Sequence, residues 1–165
     1  MKFLNIISKA ISIVIGTIVI AMLVFFAIPR IMGYTPYTVI TGSMEPNYHV
    51  GSMIYVKPVE FSDLKVGDAV TFSGDSYVVT HRITEIDSKN KSVVTKGDAN
   101  NSIDGSIKYS SIVGRASKVS IPYLGEISTG LSTSKGKILL IIILGGLFAL
   151  SYILKPNADR KEAIA

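Results

Sequence analysis

Ser43 stands in the segment ITGSMEPNYH (40–49), a small Gly-Ser turn with Thr41 two residues ahead of the serine and Pro46 three behind it. An alcohol is a weak nucleophile until a base takes its proton, and imidazole is the usual acceptor near neutral pH. The chain has two histidines, His49 and His81. His49 is six residues from Ser43, across Pro46, in a segment that reads as loop. His81 lies in SYVVTHRITEI, where strand alternation puts it on the face of Tyr77, Val79 and Ile83, with Val78, Thr80, Arg82 and Thr84 on the other face. The third element is TKGDANNSIDGS, in which Asp98 and Asp104 share one irregular segment after a strand. Singly, each has an ordinary explanation. Gly-Ser before Glu-Pro makes a turn, a histidine on an apolar face is a core residue with a satisfied hydrogen bond, and loop aspartates cap their own turns. Together an alcohol, an imidazole and a carboxylate are the nucleophile, base and orienting group that activate a serine.

Other chemistries lack their residues. The absence of cysteine excludes a disulfide framework, a Cys nucleophile, a sortase-like transpeptidase and a thiolate metal site. The two histidines are 32 residues apart without an H-E-x-x-H spacing, which argues against a metallopeptidase. Serine chemistry of this kind needs no metal or organic cofactor.

Two apolar runs bracket these residues. Residues 10–28 form a 19-residue stretch without a charge, about 28 Å long as a helix, close to the roughly 30 Å of a bilayer's hydrocarbon. It exceeds the apolar core of a cleavable signal, and FFAIPRIMG offers no A-x-A-like exit, so an uncleaved anchor is expected. The run 138–154 has 17 residues, is apolar all round, and is bracketed by Lys135, Lys137 and Lys155, as expected of a second transmembrane helix.

The net charge of +5 hints at nucleic acid until it is located. Residues 31–134 carry nine Lys or Arg against ten Asp or Glu, and the flanks carry eight against two. The basicity therefore belongs to the membrane segments, and no nucleic-acid partner is expected. Lys2 and Lys9 before the first span, with Lys155, Arg160 and Lys161 after the second, place both ends in the cytoplasm by the positive-inside tendency. Lys135 and Lys137 pull the other way. The expected order is a cytoplasmic N-terminus (1–9), an anchor (10–28), an extracytoplasmic domain (31–134), a second helix (138–154) and a basic cytoplasmic tail (155–165).

From Gly51 onward the apolar pattern changes to short alternating segments, the signature of a mainly β unit. Strands are expected near 37–41, 51–57, 69–73, 76–86, 91–96 and 108–120. Breaks fall at KPVEFSDLKVGD, SGDS, DSKN, GDANNSIDGS and PYLGE. Without alternating long helices, a small antiparallel β-sheet or partial barrel tethered at both ends follows. Ser43 is 13 residues beyond Arg30, about 43 Å even when fully extended, so the serine stays near the lipid surface.

TGSMEP, VVTHRI and KGDANNSID, in that order between two membrane segments, resemble the motif pattern of type I signal peptidases, specifically the Ser-His branch of archaea, the endoplasmic reticulum and some endospore-forming bacteria. The resemblance covers roughly residues 35–120 plus the anchor. It implies a membrane-bound serine endopeptidase, mostly β, that removes signal peptides from exported preproteins. By position it implies Ser43 as nucleophile, His81 as general base, Asp104 as the acidic member of the catalytic set and Asp98 as a supporting acidic residue, and it leaves open which of the two aspartates contacts His81. The commoner SGSM is TGSM here, so the Thr41 hydroxyl joins the Ser43 N–H as oxyanion donor. The implied partners are preproteins and the lipid bilayer. No accessory subunit is named, and substrate-binding residues stay unassigned. The competing expectation is a non-catalytic, membrane-anchored β-domain serving as a binding or envelope structural module.

Overall fold

The computed structural model describes residues 2–74 and 77–154. The tail 155–165 lies outside the described residues, as do Asp75 and Ser76 near the start of the fourth expected strand. The chain divides into two compact units, Pro29–Thr129 and the helical segments that flank it.

The helix α1 (Lys2–Met22) continues through a π-helical turn, Leu23–Ala27, into a short last turn, α2 (Ile28–Ile31), whose residues from Pro29 on belong to the unit Pro29–Thr129. Pro29 has no N–H and its ring crowds the carbonyl four residues back, and the wider turn just before it is the kind of local adjustment that accommodates this. The helix Phe3–Ile31 is thus 29 residues long, about 43 Å. It is longer than the 19-residue charge-free run because a charged residue such as Lys9 or Arg30 does not stop a helix. A second helix, Ser134–Leu154, is also long and apolar enough to cross a membrane. Ser8 Oγ donates to the carbonyl of Ser151 on that helix (2.9 Å), and the Ser12 and Ser151 hydroxyls are 3.0 Å apart. Small hydroxyl side chains of this kind let two helices approach closely and bond across the contact.

The other unit is a seven-stranded antiparallel sheet. Its strands are β1 (Thr35–Thr38), β2 (Met53–Lys57), β3 (Ala69–Ser73), β4 (Val78–Asp87), β5 (Ser92–Lys96), β6 (Ser106–Lys108) and β7 (Ile112–Ile121). Their order is β1-β2-β7-β3-β4-β5-β6, curled into an open half-barrel. The curl goes with breaks in register. In β7 the pairing skips between Gly114 and Ile112 against β3, and between Ser120 and Ala116 against β2. Bulges of this kind bend a strand and raise its twist. Apolar side chains then collect on two faces. Met44, Tyr48, Ile54, Val56, Ala69 and Ala116 form one cluster, and Leu64, Val70, Phe72, Ile83 and Val93 the other. Ala69 and Val70 are neighbours on β3, so the central strand feeds both.

Beyond shifts of one or two residues at strand ends, three features differ from expectation. The strand expected at 37–41 is β1, which ends at Thr38. The strand expected at 108–120 is divided by a 3-10 turn, Tyr109–Ser111, into β6 and β7. PYLGE does not merely break the chain; Leu124–Ser132 is a helix, α3, with Gly125 so close to β2's approach that a Cβ there would lie 2.4 Å from the Ser52 carbonyl oxygen.

Candidate active site

Ser43 sits in a 3-10 turn, Gly42–Met44, entered through Thr41 in extended conformation. The turn is held by what flanks the serine. Met44 and Tyr48 are buried in the first apolar cluster, and the Tyr48 hydroxyl donates to the Ser117 carbonyl (2.7 Å). From above, the loop after β5 clamps the same turn, with the Ala99 N–H donating to the Ser43 carbonyl at 2.9 Å. The approach requires Gly97, where a Cβ would stand 2.7 Å from that carbonyl oxygen.

His81 is on β4, opposite Val70 of β3, and only 8% exposed. Its ring edge packs against Phe72 (centroids 6.2 Å apart). Val79 and Ile83 share this apolar face as the alternation requires, whereas Tyr77, before the strand begins, is exposed. Both ring nitrogens are occupied. Nδ1 lies 2.6 Å from Asp104 Oδ2 and Nε2 lies 3.2 Å from Ser43 Oγ. An ionised carboxylate only accepts, so it places the proton on Nδ1 and turns the Nε2 lone pair to the serine hydroxyl. His81 is therefore at once a core histidine with satisfied hydrogen bonds and an imidazole aligned on an alcohol.

Thr95, on β5, is fully buried and donates from Oγ1 to the same Asp104 Oδ2 (2.6 Å). The Asp104 N–H returns a bond to the Thr95 carbonyl (2.7 Å). The carboxylate is thus held at its backbone and at the oxygen that faces the imidazole, although the Asp104 side chain is 27% exposed.

The other aspartate goes elsewhere. Arg82 follows His81 on β4 and points to the opposite face, where its Nε and Nη2 grip Asp98 Oδ1 and Oδ2 at 2.7 and 2.6 Å. Asn47 Nδ2 donates to Asp98 Oδ2 (2.8 Å), and Arg82 Nη1 donates to the Gly67 carbonyl (2.8 Å). The Arg82 hydrogen bonds hold the Asp98 carboxyl below its ordinary range, against the opposing effect of burial. Asp98 thereby ties the loop after β5 to β4 and to the segment carrying Ser43. It is Asp104 that touches His81.

His49 is exposed and pairs with Glu45 (2.5 Å), away from Ser43. Thr41 is exposed, and its side chain makes no capping bond to the turn. Both Thr41 and Ser43 line a cavity of about 330 Å³, with Met44, Tyr48 and Ile54 on its apolar side. Chain segments 37–41 and 77–81 flank it. Both offer unpaired edges among the described residues, because β1 pairs only with β2, and β4 meets β5 only from Arg82 onward.

Thr95, Arg82, Asn47 and Gly97 were not singled out by sequence reasoning. The opposite charges in THRI and KGDAN were a signal for the Arg82–Asp98 pair. A threonine in SVVTK carries no comparable mark, since β-branched residues are ordinary in strands.

The family described as signal peptidase, peptidase S26, matches residues 11–98, a stretch that includes Ser43 and His81 and ends at Asp98. The chain is 41% identical over 80 residues to signal peptidase I W of Bacillus subtilis, covering 46% of this chain and 42% of that protein. It is 28% identical over 122 residues to the signal peptidase complex catalytic subunit SEC11C of Rattus norvegicus, covering 65% and 62%. The human SEC11C matches at 29% over 104 residues, covering 54% and 53%. The chain thus spans about half the length of the curated relatives it matches.

Proposed function

The chain belongs to the signal peptidase, peptidase S26, family, and from that premise we propose that it is a membrane-bound serine endopeptidase that cleaves signal peptides from exported preproteins. One observation carries the reading: the unbroken chain Asp104 Oδ2, His81 Nδ1, His81 Nε2, Ser43 Oγ, with contacts of 2.6 and 3.2 Å.

Ser43 Oγ attacks the scissile carbonyl carbon while its proton passes to His81 Nε2. The resulting imidazolium is stabilised by the Asp104 carboxylate. The oxyanion receives the Ser43 N–H and, once it rotates, the Thr41 hydroxyl. Collapse of this intermediate breaks the C–N bond, and His81 gives the proton to the departing amine, the new N-terminus of the mature protein. Water then attacks the acyl-serine with its proton going to His81. The second collapse returns that proton to Ser43 and frees the signal peptide with a carboxylate end.

The extended cleavage region docks as an added strand between segments 37–41 and 77–81, whose unpaired edges supply main-chain hydrogen bonds. Both long apolar helices span the bilayer, which makes the protein multi-pass. The order is a cytoplasmic 1–9, a span that includes 10–28, an extracytoplasmic 31–134, a second span that includes 138–154, and a cytoplasmic tail. The preprotein, itself embedded by its apolar segment, then reaches Ser43 by diffusion in the membrane plane.

Coexpression with a preprotein reporter tests this. The intact chain is expected to convert the precursor, and Ser43→Ala and His81→Ala to leave it uncut. Equal processing by all three, or by none, would leave a non-catalytic anchored β-domain instead.

A further inference from the structure

On the Arg82 face of the sheet lies a second cavity of about 720 Å³, which Ser43 does not line. Its lining includes Lys57, Lys65, Arg82, Arg115 and Lys118, with Asp68 as its one carboxylate. Two of these cations are neutralised: Arg82 by Asp98, and Arg115 by Asp68 at 3.2 Å. Lys57, Lys65 and Lys118 are exposed and form no ion pair among the described residues. Three ammonium groups around one concavity repel each other and concentrate anions there.

The rim shows which anion. Lys57 Nζ stands 5.3 Å from the centre of the Tyr34 ring. The Tyr34 N–H donates to the Pro29 carbonyl (2.9 Å) and the Gly33 N–H to the Arg30 carbonyl (3.0 Å). The rim tyrosine is therefore fixed to Pro29, the residue that directly follows the apolar run 10–28 in the sequence. Where a span ends, headgroups begin, and tyrosine and basic side chains mark that level. We propose that this cavity binds the phosphodiester headgroup of an anionic phospholipid through Lys57, Lys65 and Lys118. The proposal rests on Phe3–Ile31 being a membrane span and does not depend on the catalytic roles.

The full chain is reconstituted in nanodiscs, and its retained lipid is measured by native mass spectrometry in mixtures of phosphatidylglycerol and phosphatidylcholine. Wild type is expected to keep phosphatidylglycerol preferentially. Replacing Lys57, Lys65 and Lys118 with Gln removes the preference, each lysine accounting for about fivefold. A control with Lys89, Lys91 and Lys108 changed to Gln, which lowers net charge equally, keeps it. Inorganic phosphate up to millimolar levels leaves the lipid in place if the headgroup is the ligand; displacement by it assigns the site to free phosphate and overturns the lipid proposal. So do equal retention of the two lipids, an unaltered preference in the Lys57/Lys65/Lys118 variant, or displacement by an acidic peptide. Failure of the chain to co-migrate with nanodiscs would strike the span assignment instead, and preprotein cleavage is scored separately.

Discussion

Two neighbouring residues on β4 face opposite ways, and the same loop serves both. On one face His81 is nearly buried and reaches Asp104 and Ser43. On the other Arg82, a third of its side chain exposed, binds Asp98 with two short hydrogen bonds. The two aspartates are six residues apart. The loop crosses the edge of β4 where β5 has ceased to pair, and places one carboxylate on each side. The difference separates alignment from anchorage. On the His81 face a carboxylate fixes a tautomer and a direction, which under the proposed mechanism sets the rate. On the Arg82 face a carboxylate fixes a loop, which matters for stability and only indirectly for rate.

Conservative changes break the comparison in order of size. Asp104→Asn keeps the shape but cannot enforce the Nδ1–H tautomer, and kcat on a preprotein is expected to fall on the order of 10⁴, with thermal stability nearly unchanged. Thr41→Val removes one oxyanion donor, for a loss of about 10² to 10³ in kcat. A rate within twofold of wild type would take Thr41 out of the mechanism. Thr95→Val deletes one of the two bonds on Asp104 Oδ2, worth about 1 kcal/mol; kcat should drop several-fold with KM little changed, and Thr95→Ser should restore it. An effect on KM alone would show that Thr95 does not act through the imidazole.

Asp98→Asn reverses the pattern. Activity at saturating substrate is expected within a few-fold of wild type, while the full chain loses about 1.5–3 kcal/mol of stability, the usual worth of hydrogen bonds to a charged group. Because Arg82 holds the folded Asp98 carboxyl below its ordinary value, its contribution is present above the unfolded aspartate pKa of about 3.9 and is lost as pH falls through the lower folded value. The gap between wild type and Asp98→Asn should therefore stay constant above about pH 5 and close on acidification. Thermal unfolding across that range measures it, and a gap that widens in acid would contradict the ion-pair account.

The residue types of the site were legible because the whole chain has two histidines and because TKGDANNSIDGS puts two aspartates in one irregular segment. The strand carrying His81 was legible from alternation, which set Val79 and Ile83 on its face. Which aspartate meets the imidazole was not, since both lie in one irregular loop and its path depends on the Arg82 anchor and on the close contact at Gly97. Thr95 was hidden for a similar reason: nothing local marks its hydroxyl, and its partner is set by a backbone hydrogen bond across the loop. The break between β6 and β7 at YSS has serines as its only turn formers, and these turn the chain more weakly than Gly, Pro, Asn or Asp, so its signal is faint. Helix α3 has weak intrinsic propensity, with Gly125, Gly130 and β-branched residues in LGEISTGLS. It is supported by tertiary bonds, among them the Glu126 N–H to the Gly51 carbonyl and the Thr38 hydroxyl to the Gly125 carbonyl.

The most direct test of the catalytic unit is a double-mutant cycle, measuring kcat for preprotein cleavage by wild type, His81→Ala, Asp104→Asn and the double variant. If Asp104 acts through His81, the double variant is no slower than His81→Ala alone, because the carboxylate has nothing left to orient. Losses that multiply, with the double variant slower by a further factor near 10⁴, would contradict that linkage.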